Sequence, residues 1–409
     1  MRSRFWSLAA AVVGALTTSA VATAVQRRAE VEVGPSASQV ARYLGALRSA
    51  DPMVCQDVAD GFGNFWWGDS SDRGVGDLAD QVGVRVQRDS VRRRVTDPSV
   101  IATLLETLDE PNPCVRRVAA KMLGRSLPST RAALLGALAD SRPRVREAAL
   151  LALGVGEDPE TRDRLERATG DGDPAVAAMA AWAVGELEDA RSIPVLTRLL
   201  SHRASRVQHA AIWGLGAIED PKAVASLIPK LRDSDPMARQ LAAEALGHIE
   251  SPKATEALLP LVEDPDVRVR LAAVRALGDI EDQRAASVLG RALRDGSVEV
   301  RRSAAAALGD LDGLEVAPRE LVEALGSDDL EVRRNAARAL GSIGDPSTAE
   351  ALGARLGDPD VEIRRAVVEG VSAMDHPKVA GWLLRALKDV DPEVRKLAAE
   401  GLGDRGKSH

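Results

Sequence analysis

Residues 266–278 read DVRVRLAAVRALG. Counted from Asp266 as position 1, Val269, Ala273, Val274 and Leu277 stand at positions 4, 8, 9 and 12. On a helix of 3.6 residues per turn they form one apolar stripe. Asp266 suits the N-cap, where a carboxylate accepts from the first free backbone amides. Gly278, at position 13, reads as the left-handed residue that closes the helix. Such a helix cannot hide its stripe by itself.

The pattern recurs in both directions. DPMARQLAAEALG ends at Gly247, SVEVRRSAAAALG at Gly309, DLEVRRNAARALG at Gly341 and DPEVRKLAAEGLG at Gly403. Upstream, NPCVRRVAAKMLG ends at Gly124, RPRVREAALLALG at Gly154, DPAVAAMAAWAVG at Gly185 and ASRVQHAAIWGLG at Gly216. In DVEIRRAVVEGVS, Ser372 takes the place of the glycine. Successive ends lie 30 to 32 residues apart, and the spacing is 31 in seven of nine cases. A second helix is expected before each copy, as in PKAVASLIPKLRD from Pro221 or PKATEALLPLVED from Pro252. Asp-Pro joints such as Ile218-Glu219-Asp220-Pro221 cap these helices. The expected architecture is all-α: an α-solenoid of about ten helix pairs, each burying its stripe against the next.

The motif D-P-x-V-R-x-x-A-A-x-A-L-G, carried over residues 97–403, resembles the HEAT-repeat family, in particular its phycobilisome-lyase-type HEAT-like repeat. The resemblance implies that the motif's Asp and Arg link neighbouring units by side-chain hydrogen bonds. The arginines at that position are Arg116, Arg146, Arg239, Arg270, Arg301, Arg333, Arg364 and Arg395. Ala177 and Gln208 interrupt the series, in the two copies that also carry Trp182 and Trp213.

Position 10 reads Lys121, Leu151, Trp182, Trp213, Glu244, Arg275, Ala306, Arg338, Glu369 and Glu400. Six of the ten are charged, so the column is expected to face solvent. Leu151, Trp182 and Trp213 would then form an exposed apolar row on the concave wall, with Ala178 and His209 beside it at position 6. Such a row suits a protein partner. The alternative is structural, with the rings covering gaps left by Ala177 and Gln208.

Composition narrows the function. A net charge of −7 gives no general attraction for nucleic acid. Nucleophile elbows, P-loops, dinucleotide fingerprints and His-Glu dipeptides are all missing from the sequence, and no metal or cofactor is called for. Repetition itself argues for caps and ladders over catalytic pairs. The expected function is therefore a non-catalytic scaffold or adaptor for a protein partner. The runner-up is a lyase-like protein that holds a tetrapyrrole or another planar ligand against Trp182 and Trp213.

The N-terminus has its own character. MRSR precedes an apolar run over residues 5–25, with Ala20-Val21-Ala22 and Ala22-Thr23-Ala24 as small-x-small cleavage sites. The run is rich in Ala and Thr, which suits a signal peptide over residues 1–24 better than an uncleaved anchor over 5–25. Either reading exports the rest of the chain, to the periplasm or beyond, with no other insertion into a membrane. Residues 37–64 read as a degenerate helical repeat, and 65–96 as an insertion or cap with Phe65, Trp66 and Trp67, or a further hidden repeat. Residues 404–409 are a short tail. Cys55 and Cys114 are the only cysteines, and export permits a disulfide between them if 65–96 loops out.

Overall fold

The computed structural model describes residues 36–50 and 94–407. Among them the regular structure is helical, apart from one isolated bridge between Asp282 and Asp312. The chain divides into two compact units, Met1–Ala183 and Val184–His409. The expected signal peptide, most of the 65–96 segment, Cys55 and the end of the tail lie outside the described residues. No helix among the described residues is long and apolar enough to cross a membrane.

In the first unit, helix Ala37–Ser49 starts from a capping box in which Ser36 accepts from the Gln39 amide. It buries Val40, Tyr43, Leu44 and Leu47. Arg48 ties it to Glu110 at 2.7 Å. Helix pairs follow, with second helices Pro113–Gly124 and Pro143–Val155. Cys114 lies buried in the first turn of the earlier one and is not a free cysteine.

In the second unit the long helices are Ser205–Ala217, Pro236–His248, Val267–Asp279, Val298–Asp310, Leu330–Ile343, Val361–Ala373 and Pro392–Lys407. Each packs side by side with the next. Aspartates begin most of them as expected: Asp235 accepts from the Met237 amide and Asp266 from the Arg268 amide. The short helices before them are less regular. Val224–Leu227 gives way to a 3-10 turn over Ile228–Arg232, and Thr255–Leu258 to one over Leu259–Glu263. Pro229 and Pro260 lack the amide that a continuing α-helix would use.

The motif glycines correct the sequence reading. Gly216, Gly247 and Gly278 lie inside their helices, whose C-caps are Ile218, Ile249 and Ile280. A Cβ on Gly216 would stand 2.8 Å from Ala245 Cα, one on Gly247 2.9 Å from Ala276 Cα, and one on Gly278 2.9 Å from Ala307 Cβ. The glycine is there so that one long helix can lie against the position-11 residue of the next. The left-handed residue comes three places later, and it is glutamate in five copies: Glu157, Glu188, Glu219, Glu250 and Glu281, with φ from 47° to 56°. Only Gly344 fills that place with the residue that favours it, at φ 67°.

Candidate functional site

Charged side chains between copies are held in two ladders. In the first, Arg146 Nε and Nη2 donate to both oxygens of Asp171, at 2.8 and 2.9 Å. Arg239 meets Asp264, Arg270 meets Asp295 and Arg364 meets Asp389 in the same two-pronged way. The third nitrogen, Nη1, donates to a backbone carbonyl six residues back, as from Arg239 to Asp233 O at 2.8 Å. Four of the expected arginines make only such backbone bonds. Arg116 stops at the Glu110 and Pro111 carbonyls, while Asp140 in the next copy is taken by Arg142. Arg301 reaches the Asp295 and Gly296 carbonyls, and the next copy offers it Ser327 instead of an aspartate. Arg395 lies in the last copy and reaches only the Asp389 and Val390 carbonyls. Arg333 ends on the Ser327 and Asp328 carbonyls although Asp358 stands in the corresponding place. Where Gln208 replaces arginine, Lys230 restores the link, donating to Gln208 Oε1 at 2.7 Å and to Asp233 at 3.0 Å.

A second ladder, at position 6, escaped the sequence reading. Arg302 holds Asp329, Arg334 holds Asp360 and Arg365 holds Asp391, each through two nitrogens. These aspartates cap the next long helix, so one carboxylate both caps and bridges. The arginines hold all three carboxyls below the ordinary carboxylate range. The signal was available as a basic residue at position 6 about 26 residues before an N-cap Asp. His209 belongs to this ladder, with Nε2 2.7 Å from Asp235 Oδ2. Its half-buried ring is therefore engaged with the N-cap aspartate of the next long helix.

The expected apolar row is largely buried. Trp182 is 2% exposed and Leu151 3%. Trp182 Cζ3 fills the space beside Gly154, 2.5 Å from where a Cβ on that glycine would lie. In the second unit Trp213 leans on Gly185 in the same way, 3.2 Å from the corresponding point. The rings thus fill space left by the preceding copy's glycine. Trp213 and Ala178 are half-buried. Leu151 lines a small cavity of about 160 Å³ with Arg116, Glu147 and Met179. Trp182 offers no open face to a planar ligand. Position 10 does open to solvent farther along, at Arg275, Arg338, Glu369 and Glu400.

Three of the four internal histidines are engaged structurally. Besides His209, His202 Nδ1 accepts from the Ala204 amide and His376 Nδ1 from the Lys378 amide, with the His376 ring stacked on Trp382 at 5.3 Å. No group of three or more metal-ligating side chains is present among the described residues.

What stands open instead is an acidic edge in the second unit. Glu188, Glu219, Glu250 and Glu281 recur at one register, at the turn after each long helix, and all are exposed. Among the described residues none of the four carboxylates enters a hydrogen bond or ion pair. Glu219 and Glu250 flank a cavity of about 510 Å³ that His248 and Asp279 also line. Burial away from water pushes the Asp279 carboxyl above its ordinary value; His248 draws it back, and Glu250 and Asp310 add to the rise. The sequence carried the trace in Glu188-Asp189, Glu219-Asp220 and Glu281-Asp282, where the aspartate read as a cap and the glutamate went unremarked.

A family model described as HEAT repeats matches residues 101–171, 161–229, 224–309, 291–365 and 349–408. No curated protein matches the chain in sequence. Among solved structures, an engineered protein is similar at 22% identity over 76% of this chain and 96% of its own, with a TM-score of 0.53. Importin beta, crystallised in ammonium sulfate, is similar at 17% identity and a TM-score of 0.53. That match covers 95% of this chain and 59% of importin beta, so the chain spans about three fifths of that protein's length. The CpcE–CpcF complex of phycocyanin lyase from Nostoc gives 23% identity over 59% of this chain and 94% of that one, at a TM-score of 0.36. At these identities the first two matches speak to fold alone.

Proposed function

Because this chain belongs to the HEAT-repeat family, we propose that it is a non-catalytic scaffold that binds a protein partner, and that the partner presents a basic segment to the acidic edge of the Val184–His409 unit. The observation that carries this reading is the set Glu188, Glu219, Glu250 and Glu281, unpaired and in register. An L-residue in the left-handed region costs about 1–2 kcal/mol, and glycine would avoid most of that. Glutamate stands there four times over in this unit, although the array uses Gly344 at the equivalent place. Meanwhile seven of the repeat's arginines, four at position 5 and three at position 6, are spent on aspartates in the ladders. The four free carboxylates, in register, are available to an outside molecule. With a leader over residues 1–24, the scaffold would act outside the cytoplasm.

The test is affinity capture from an extract of the source with the intact chain and with a variant carrying Gln at all four positions. The expected result is a captured protein that is lost from the variant and released from the intact chain as salt is raised. Equal capture by both, at all salt concentrations, would overturn the acidic-edge reading.

A further inference from the structure

At Arg301 the first ladder has no carboxylate of its own: Ser327 stands where the neighbouring rungs carry aspartate. We propose that Arg301, Arg333 and Arg355, converging on the Gly326–Asp329 turn, form a receptor for an external oxyanion, a carboxylate or a phosphate, that completes this rung.

Hydrogen bonding identifies residue 327 as the rung position. Its side chain accepts the amide two residues on, from Asp329 N to Ser327 Oγ at 3.2 Å. The rung aspartates do the same: Asp266 N donates to Asp264 Oδ1 at 2.9 Å and Asp391 N to Asp389 Oδ1 at 2.8 Å. At those two rungs the carboxylate also receives the fork of Arg239 or Arg364. Ser327 offers a short neutral hydroxyl, so among the described residues the Nε and Nη2 of Arg301 meet no acceptor. A cavity of about 350 Å³ lies there, lined by Arg301, Ser327 and Asp328 together with the paired charges Arg294, Glu320, Glu323 and Asp329; Arg333 and Arg355 adjoin the turn from outside that lining. This is also the copy in which the spacing lengthens to 32, from Gly309 to Gly341.

Two further cations adjoin the turn. Arg333 Nη1 donates to Ser327 O at 2.7 Å, and Arg355 Nη2 lies 3.6 Å from where a Cβ on Gly326 would be. Among the described residues, none of Arg301, Arg333 and Arg355 is in an ion pair. The other charges are accounted for: Arg294 holds Glu320 and Glu323, and Arg302 holds Asp329. Asp328 is the one carboxylate of the turn without an arginine partner among the described residues, beside three arginines that are in no ion pair. Guanidinium forks bind carboxylate and phosphate through paired N–H bonds. Arg146, Arg239, Arg270 and Arg364 take that geometry at this register, whereas Arg333 does not do so beside Asp358.

The test uses the full chain labelled with ¹⁵N-arginine. The Arg301 Nε resonance is assigned by Arg301→Lys, then titrated with inorganic phosphate and, separately, with N-acetyl-aspartate. The expected result is a saturable shift of the Arg301 signal, at least about tenfold tighter than any shift at the exposed Arg275 or Arg338. Saturation by phosphate alone assigns a phosphoryl ligand, and saturation by N-acetyl-aspartate alone a carboxylate. In Ser327→Asp, which builds the rung internally, the signal should stand at the bound position and no longer titrate. If Arg301 only drifts linearly with the exposed arginines, or if Ser327→Asp leaves its signal unmoved, the receptor does not exist.

Discussion

Trp182 and Gly154 form a single packing unit: the indole occupies the volume that any side chain at 154 would need. The two residues come from consecutive copies, so the contact joins one repeat to the next. Trp382 and Gly353 repeat the device near the other end of the chain, where a Cβ would lie 2.7 Å from the ring. Trp182→Ala should therefore act as a core truncation, costing about 3–5 kcal/mol. Gly154→Ala should cost about 1–3 kcal/mol by overpacking in the native chain, and less once Trp182 is already alanine. Chemical denaturation of the two single variants and the double measures the coupling. Strictly additive losses would show that the ring does not rest on the glycine.

The seam between long helices gives a second expectation. Gly278→Ala improves intrinsic helix propensity by about 1 kcal/mol, so on local grounds it should stabilise. The added methyl would meet Ala307 Cβ at 2.9 Å, and the helices would have to part. A net loss of about 1–2 kcal/mol is expected, partly recovered by Ala307→Gly. Hydrogen exchange should rise in the copies around residue 278 and stay unchanged in distant ones such as that around Arg395, because each repeat touches only its neighbours. A stabilised Gly278→Ala would return the glycine to a simple capping role.

These two cases show what was legible in the sequence. The period, the apolar stripe and the N-cap aspartates are local properties, and they led to the helix pairs and the HEAT-repeat class. The role of Gly278 was not legible, because a glycine near a helix end suits both a left-handed cap and a close approach; only the position of Ala307 decides between them. Position 10 misled for a related reason. Arg275 and Glu369 in that column are exposed, but Trp182 reaches back over the Gly154 of another copy, and a column of letters does not record that reach. The free glutamates were hidden by their neighbours, since Asp220 and Asp282 explain their turns as caps without reference to Glu219 or Glu281.

The ladders fix the response to acid. Arg146 holds the Asp171 carboxyl below its ordinary value, and Arg364 does the same for Asp389. A carboxylate whose folded pKa is depressed adds stability that is fully present above its unfolded value, about 3.9, and is lost as pH falls through the folded value. Melting temperature should thus change little on this account from pH 7 to 5 and fall below about pH 4. Arg364→Ala should cost about 1–2 kcal/mol at neutral pH and make the acid fall shallower. Thermal melts of both proteins from pH 7 to 3 check this, and identical acid profiles would mean that the ladder carries none of the dependence.

At Glu250 stability and binding should pull in opposite directions. Its φ of 50° is one that L side chains resist, at about 1–2 kcal/mol. Glycine removes that strain but adds about 0.5–1 kcal/mol of lost chain entropy on folding. Glu250→Gly should therefore stabilise the protein by about 0.5–1 kcal/mol, seen as a small rise in melting temperature. Glu250→Gln keeps the strain and removes only the charge, so its melting temperature should stay close to that of the native chain. Both variants should weaken a basic partner to a similar degree, because both lose the same carboxylate, and the difference from the native chain should shrink as salt is raised. A glycine variant that gains stability and binds as tightly as the native chain would leave the glutamate without the role assigned to it.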